Sequence, residues 1–226
     1  MKQNQLRVKE GRTELVAPHQ NRDLTFLHPS YGPNTYAHVK QEIEQDNLKP
    51  ATMAETASLV HAAFNSDDKY GQEIKKIMKD RYFWGFTKSL YVPKGAYTYP
   101  DLNGEDLDES DLIKKLESND SSVRFVPFGY KTGEMSSLEL AKNPYVIALA
   151  GGEEGAEKLA EIADKHKQKP RLFSYDSVSE PLTRVSALGS GWSLGSRLYV
   201  NGDSRGYDGY GSAFGVQVAP QARAEK

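Results

Sequence analysis

The sequence contains no cysteine. That absence removes disulfides, thiolate nucleophiles, cysteine-ligated zinc and iron–sulfur clusters together, and it fits a reducing cytoplasm. An excess of charge is also missing: 29 basic residues face 31 acidic ones, a formal net charge of −2. A chain so nearly neutral has no bulk electrostatic reason to seek nucleic acid or a membrane surface. No apolar run approaches the roughly eighteen residues of a spanning helix. The opening Met1-Lys2-Gln3-Asn4-Gln5 is too polar to front a signal peptide. As written, the chain reads as cytoplasmic, with no direct membrane insertion.

Catalytic signatures are sparse as well. No Gly-x-Ser-x-Gly elbow is present, so serine hydrolysis has no support. The histidines, His19, His28, His38, His61 and His166, are scattered without a close-spaced ligand pair. His166 falls at an expected helix end, where positive charge would complement the dipole. The acidic stretch 101–109 invites calcium, but Gly104 comes too early for an EF-hand loop, and a solvated loop is expected instead. Ala150-Gly151-Gly152-Glu153-Glu154-Gly155 sits between an expected strand and an expected helix, where a phosphate-binding turn would be. It matches neither the dinucleotide fingerprint nor the P-loop, and its two glutamates would repel phosphate. No catalytic residue, metal or cofactor is expected.

What the chain does hold is 226 residues with the pattern of one domain over 36–220. Residues 1–35 are polar and turn-rich, a tail or strand-bearing arm, and 221–226 read as a frayed end. Thr52 and Glu55 stand at capping-box spacing ahead of Met53, Thr56, Leu59, Val60, Ala63 and Phe64, which recur at helical intervals. A second helix is expected over 69–79. The aromatics of Arg81-Tyr82-Phe83-Trp84-Gly85-Phe86 read as core, continuing into a strand before Pro93. Short helices are expected after Ser110 and after Ser136 or Ser137, with a strand over 123–128 between them. Beyond these, the run Tyr145-Val146-Ile147-Ala148-Leu149-Ala150 reads as a buried strand, 153–166 as an amphipathic helix and 170–175 as another strand, a β-α-β order. The last third alternates apolar and polar residues like strands, at Leu198 and Val200 and again at Phe214, Val216 and Val218.

Between 189 and 212 the composition departs from the rest. Apart from Trp192, Leu194, Arg197, Leu198, Val200 and Arg205, every residue there is Gly, Ser, Tyr, Asp or Asn. A flexible linker would not embed Leu198 and Val200 at alternating spacing, nor run directly into Ala213-Phe214-Gly215-Val216. If Leu198 and Val200 face the core, Arg197, Tyr199 and Asn201 face out. Tyrosine with small polar neighbours is the composition of evolved binding faces, with Tyr199, Tyr207 and Tyr210 as the expected anchors. The genetic code adds a second feature: replacing only the adenines of an asparagine codon yields Ser, Asp, Gly and Tyr, the set concentrated here.

In this composition and its place near the carboxyl end, the chain resembles the variable proteins of diversity-generating retroelements, in which adenine-directed mutagenesis rewrites a C-terminal repeat on a C-type lectin fold. The resemblance implies an α+β domain with an antiparallel sheet flanked by two main helices and irregular loops carrying the binding face. It implies a ligand-binding protein for varied protein or other macromolecular partners, with no enzymatic activity. The diversified positions would be Gly189, Gly191, Ser193, Ser196, Tyr199, Asn201, Asp203, Ser204, Gly206, Tyr207, Tyr210 and Ser212. Scaffold positions would be Trp192, Leu194, Arg197, Leu198, Val200, Gly202, Arg205, Asp208, Gly211, Ala213, Phe214 and Gly215. Two rivals stand beside this reading. One is an enzyme on the same scaffold, since formylglycine-generating enzymes are similar in fold, although their oxidase chemistry depends on cysteines. The other is a calcium-dependent carbohydrate-binding lectin, whose Glu-Pro-Asn and Trp-Asn-Asp motifs are here Glu180-Pro181-Leu182 and Gly191-Trp192-Ser193.

Overall fold

The computed structural model describes residues 12–102, 104, 106–191 and 196–217. Its centre is a single sheet, and the long central strand β4 (Tyr82–Val92) comes from the expected aromatic stretch. β4 lies beside β9 (Leu182–Gly189), which pairs with β10 (Tyr199–Ser204). On its other side β4 meets β11 (Gly211–Val216), which separates it from the hairpin β1 (Thr13–His19) and β2 (Arg22–Asn34). Residues 13–34, expected as a tail or strand-bearing arm ahead of a 36–220 domain, are built into the sheet, and Ala17, Leu24, Phe26 and Tyr31 join its core. The far edge is β8 (Arg171–Phe173) and β7 (Gly133–Glu134). Short β3 (Lys49–Pro50) joins β11, while β5 (Gly95–Pro100) and β6 (Arg124–Pro127) extend from the far end of β4.

The sheet is mixed rather than purely antiparallel, because β11 runs parallel to β4 and β10 parallel to β8. Both parallel pairs arise where a strand late in the chain inserts beside an earlier one. Strand alternation separates two core clusters on opposite faces of the central strands, and a third gathers Leu90, Val92, Tyr97, Tyr99, Leu112 and Val123. Phe83, Leu188, Leu198, Val200 and Phe214 join one cluster with Met53, Ala57 and Val60 of α2 (Met53–Phe64) and Leu159 and Ile162 of α7 (Glu153–Asp164). Their neighbours Trp84, Ala187 and Ala213 join a second cluster with Tyr36, Val39 and Ile43 of α1 (Tyr36–Gln45). Helices α1 and α2 thus cover opposite faces. They are not alone, since α3 (Lys69–Asp80), α4 (Glu109–Glu117), α5 (Ser137–Lys142) and α6 (Pro144–Leu149) complete the described helices.

Helix α2 starts where its capping box predicts. The Thr52 hydroxyl accepts from Glu55 N, and the Glu55 carboxylate accepts from Thr52 N at 2.8 Å and from Lys49 Nζ at 2.8 Å. Ser136 and Glu139 repeat the arrangement at α5. The expected strand over 145–150 is instead α6. Asn143 Oδ1 accepts from the backbone N–H groups of Tyr145 and Val146, and Pro144 presets the first helical turn. A six-residue apolar run suits a buried strand and a buried helix turn equally, and the cap decides between them. The expected β-α-β order is accordingly α6-α7-β8, and Gly151-Gly152 joins two helices. Residues 221–226, the expected frayed end, lie outside the described residues. Among the described residues no helix is long and apolar enough to cross a membrane.

Candidate binding surface

β10 anchors the unusual segment. Leu198 and Val200 are fully buried, each contributing about 1.5–3 kcal/mol. Arg197, ahead of them, ion-pairs with Glu134 of β7 and donates to Gln168. Gly202 lies against a buried phenol cluster: Tyr91 Oη donates to Gly202 O at 2.9 Å and shares a 2.6 Å hydrogen bond with Tyr145 Oη. Burial pushes the Tyr145 hydroxyl up to about 12, so the cluster stays neutral. A Cβ at Gly202 would overlap the Tyr145 hydroxyl, and one at Gly211 the Trp84 indole. Leu198, Val200, Gly202, Gly211, Ala213, Phe214 and Gly215 are all buried scaffold, whereas Arg205 and Asp208, expected beside them, are exposed.

The opposite face of β10 opens on a groove of about 390 Å³, whose wall carries the rings of Tyr82, Phe173, Tyr199 and Tyr210 with Asn201 and Asp208. Tyr199 turns toward this side, as alternation requires, but it is only 8% exposed because it packs on Phe173 of β8, ring centroids 5.9 Å apart. It is a wall of the groove, not a projecting anchor. The hydroxyls of Tyr199 and Tyr82 are buried there without a hydrogen-bond partner among the described residues. Burial raises the Tyr199 hydroxyl, with Arg197 and Arg171 opposing, which keeps it a protonated donor.

The connection from β10 to β11 forms a ridge. Tyr207 is 83% exposed and Tyr210 69% exposed. Between them and the sheet, Gly206 adopts φ +76° and its carbonyl accepts from Tyr36 N at 3.1 Å, which ties the ridge to the start of α1. Beyond the ridge lies a second groove of about 460 Å³, reaching Lys40, Lys88, Asp101, Arg184 and Tyr207, and Ser204 borders both grooves. Leu102, Gly104, Asp106 and Asp108 of the expected solvated acidic loop are exposed, and its first residue, on the groove floor, is the exception. Asp101 is buried, accepting from Lys40 Nζ at 2.7 Å, Tyr36 Oη at 2.9 Å and Gly104 N at 3.1 Å. Lys88 Nζ stands 3.4 Å from the same carboxylate.

The remaining candidate positions divide by exposure. Ser196 is exposed, and Gly191, Asn201, Asp203 and Ser204 are half-buried. Burial raises the Asp203 carboxyl against the opposing pull of Arg184. Gly189, Gly206 and Ser212 are buried and display no side chain: Gly189 pairs with Tyr82 across the sheet, and Ser212 is 1% exposed. Ser193 lies outside the described residues, as do Trp192 and Leu194. Tyr82 and Phe173 are groove residues that the segment's composition could not point to, since they belong to other strands. Elsewhere, burial beside Phe64 lowers the pKa of His166, which works against the positive charge expected at that helix end.

No family model and no curated protein matches this sequence. A solved structure described as showing the accommodation of massive sequence variation in Nanoarchaeota by the C-type lectin fold does match, with a TM-score of 0.62 at 13% identity. The match covers 88% of this chain and 100% of that one. A likeness at such low identity concerns the path of the chain, and on that basis the fold described above is the C-type lectin fold.

Proposed function

We propose that the ridge and the groove beside it form a recognition surface for a protein or other macromolecular partner, and that retroelement-directed mutagenesis diversifies its exposed positions. The observation carrying this reading is the separation of roles within one segment. Leu198, Val200, Gly202 and Gly211 lock into the core while Tyr207 and Tyr210 stand in solvent a few residues away. Side chains on such a ridge can change without touching the packing beneath. The described likeness to a fold that accommodates massive sequence variation supports the same reading. The surface needs no cofactor and performs no chemistry; neither nucleic acid nor lipid is its partner.

Sequencing this locus and its flanks across related isolates tests the proposal. The expected result is a near-copy of the segment nearby, with allelic changes confined to adenines of that copy and concentrated at Ser196, Asn201, Asp203, Ser204, Tyr207 and Tyr210. Changes spread evenly over buried and exposed codons would refute diversification. Recognition itself is tested by selecting a binder from a library at Ser196, Asn201, Asp203 and Ser204 with Tyr207 and Tyr210 kept, then truncating Tyr207 and Tyr210. Loss of about tenfold or more in affinity per tyrosine is expected from the cost of removing an interface anchor.

A further inference from the structure

A cleft of about 280 Å³ lies among β1, the start of α2, β5 and β6, and shares no lining residue with either groove of the recognition surface. Its lining includes Arg22, Lys49 and Arg124 and, among the described residues, no carboxylate, in a chain with more acidic than basic residues. Arg22 sits at the β1–β2 turn opposite His19 and has no ion pair among the described residues. Arg124 spends one N–H on Gly151 O at 2.8 Å, leaving the rest of its fork. Lys49 is matched from behind by the buried Glu55, and the nearby Glu154 is matched by Lys158 at 2.7 Å. Three cations and one neutralising carboxylate leave a surplus of two positive charges.

Hydroxyl donors complete the lining. Thr98 is 1% exposed, and its hydroxyl has no hydrogen-bond partner among the described residues. Thr87 Oγ1 accepts from Met53 N at 3.1 Å, so its own O–H still lacks an acceptor. His19, held below its ordinary pKa by burial, adds a neutral ring whose Nδ1 is engaged with Ser58 Oγ at 2.9 Å.

We infer that this cleft binds a small soluble phosphomonoester, with the phosphate dianion between Arg22, Lys49 and Arg124 and accepting from Thr98. A dianion matches the surplus charge, and guanidinium forks match phosphate oxygens, whereas a monocarboxylate leaves a cation uncompensated. The size lies at the small end of ligand pockets, which suits a phosphate on a short organic stem.

Titration calorimetry on the full chain at fixed ionic strength tests this with inorganic phosphate, glycerol phosphate and acetate, beside sedimentation with phosphatidic-acid vesicles. Saturable one-to-one binding of both phosphates is expected, with acetate at least tenfold weaker. R22Q and R124Q each weaken glycerol phosphate by about tenfold or more, the loss of a charge-assisted hydrogen bond. Should R124Q unfold through loss of its bond to Gly151, R22Q at the exposed turn still decides. Absent saturation, equal affinity in R22Q, or binding to vesicles alone would overturn the inference. Y207A/Y210A should leave phosphate affinity unchanged, which keeps this result separate from the fate of the recognition surface.

Discussion

Tyr207 and Gly211 are four positions apart yet face opposite fates on substitution. Truncating Tyr207 or Tyr210 to alanine removes side chains that stand mostly in solvent. Urea unfolding should therefore place both variants within about 0.5 kcal/mol of the parent. Gly202→Ala and Gly211→Ala drive a methyl group into Tyr145 and Trp84, and the same measurement should record losses of about 1–3 kcal/mol or more. Glu55 supplies a pH test. Burial raises its carboxyl, but Lys49 and Thr52 outweigh burial and hold it below its ordinary 4.5. The stabilisation is present in full above the unfolded value and is lost as pH falls through the lower folded value. Thermal melts of Glu55→Gln should accordingly show a shallower acid limb below about pH 4.5 than the parent. At this scale the inward direction of Leu198 and Val200 was legible from alternation. The burial of Tyr199 was not, because Phe173 reaches it from a strand 26 positions away in the chain (199 less 173).

Elements were legible where a cap announced them. Thr52 with Glu55 and Ser136 with Glu139 mark helix starts by a side-chain pattern that a strand cannot use. Helix α6 lacks that pattern, and its apolar run hid it. Asn143 is its sole side-chain cap and also donates from Nδ2 to Lys131 O at 2.8 Å. Asn143→Ala should thus cost about 1–2 kcal/mol in chemical denaturation. Strand β2 was obscured by Pro29 and Pro33, which read as breakers. Both fall in register shifts of the β2–β11 pairing, one between Leu27 and Tyr31 and the other between Tyr31 and Asn34. A proline at such a break forfeits no ladder hydrogen bond.

For the molecule as a whole, the proposed surface sits on strands held from both sides: β10 lies between β9 and β8, and β11 between β2 and β4. A library randomised at Ser196, Asn201, Asp203, Ser204, Tyr207 and Tyr210 should stay protease-resistant in most members. One randomised at Gly189, Tyr199, Gly206 and Ser212 should not, since each of these four is buried. The sheet order carries one more consequence. β2 and β4 are synthesised early but touch the same neighbour, β11, whose residues 211–216 come near the end of the described chain. A ribosome paused before residue 211 holds two unzipped strand edges with nothing to seat between them, so docking of the whole sheet waits on a few late codons.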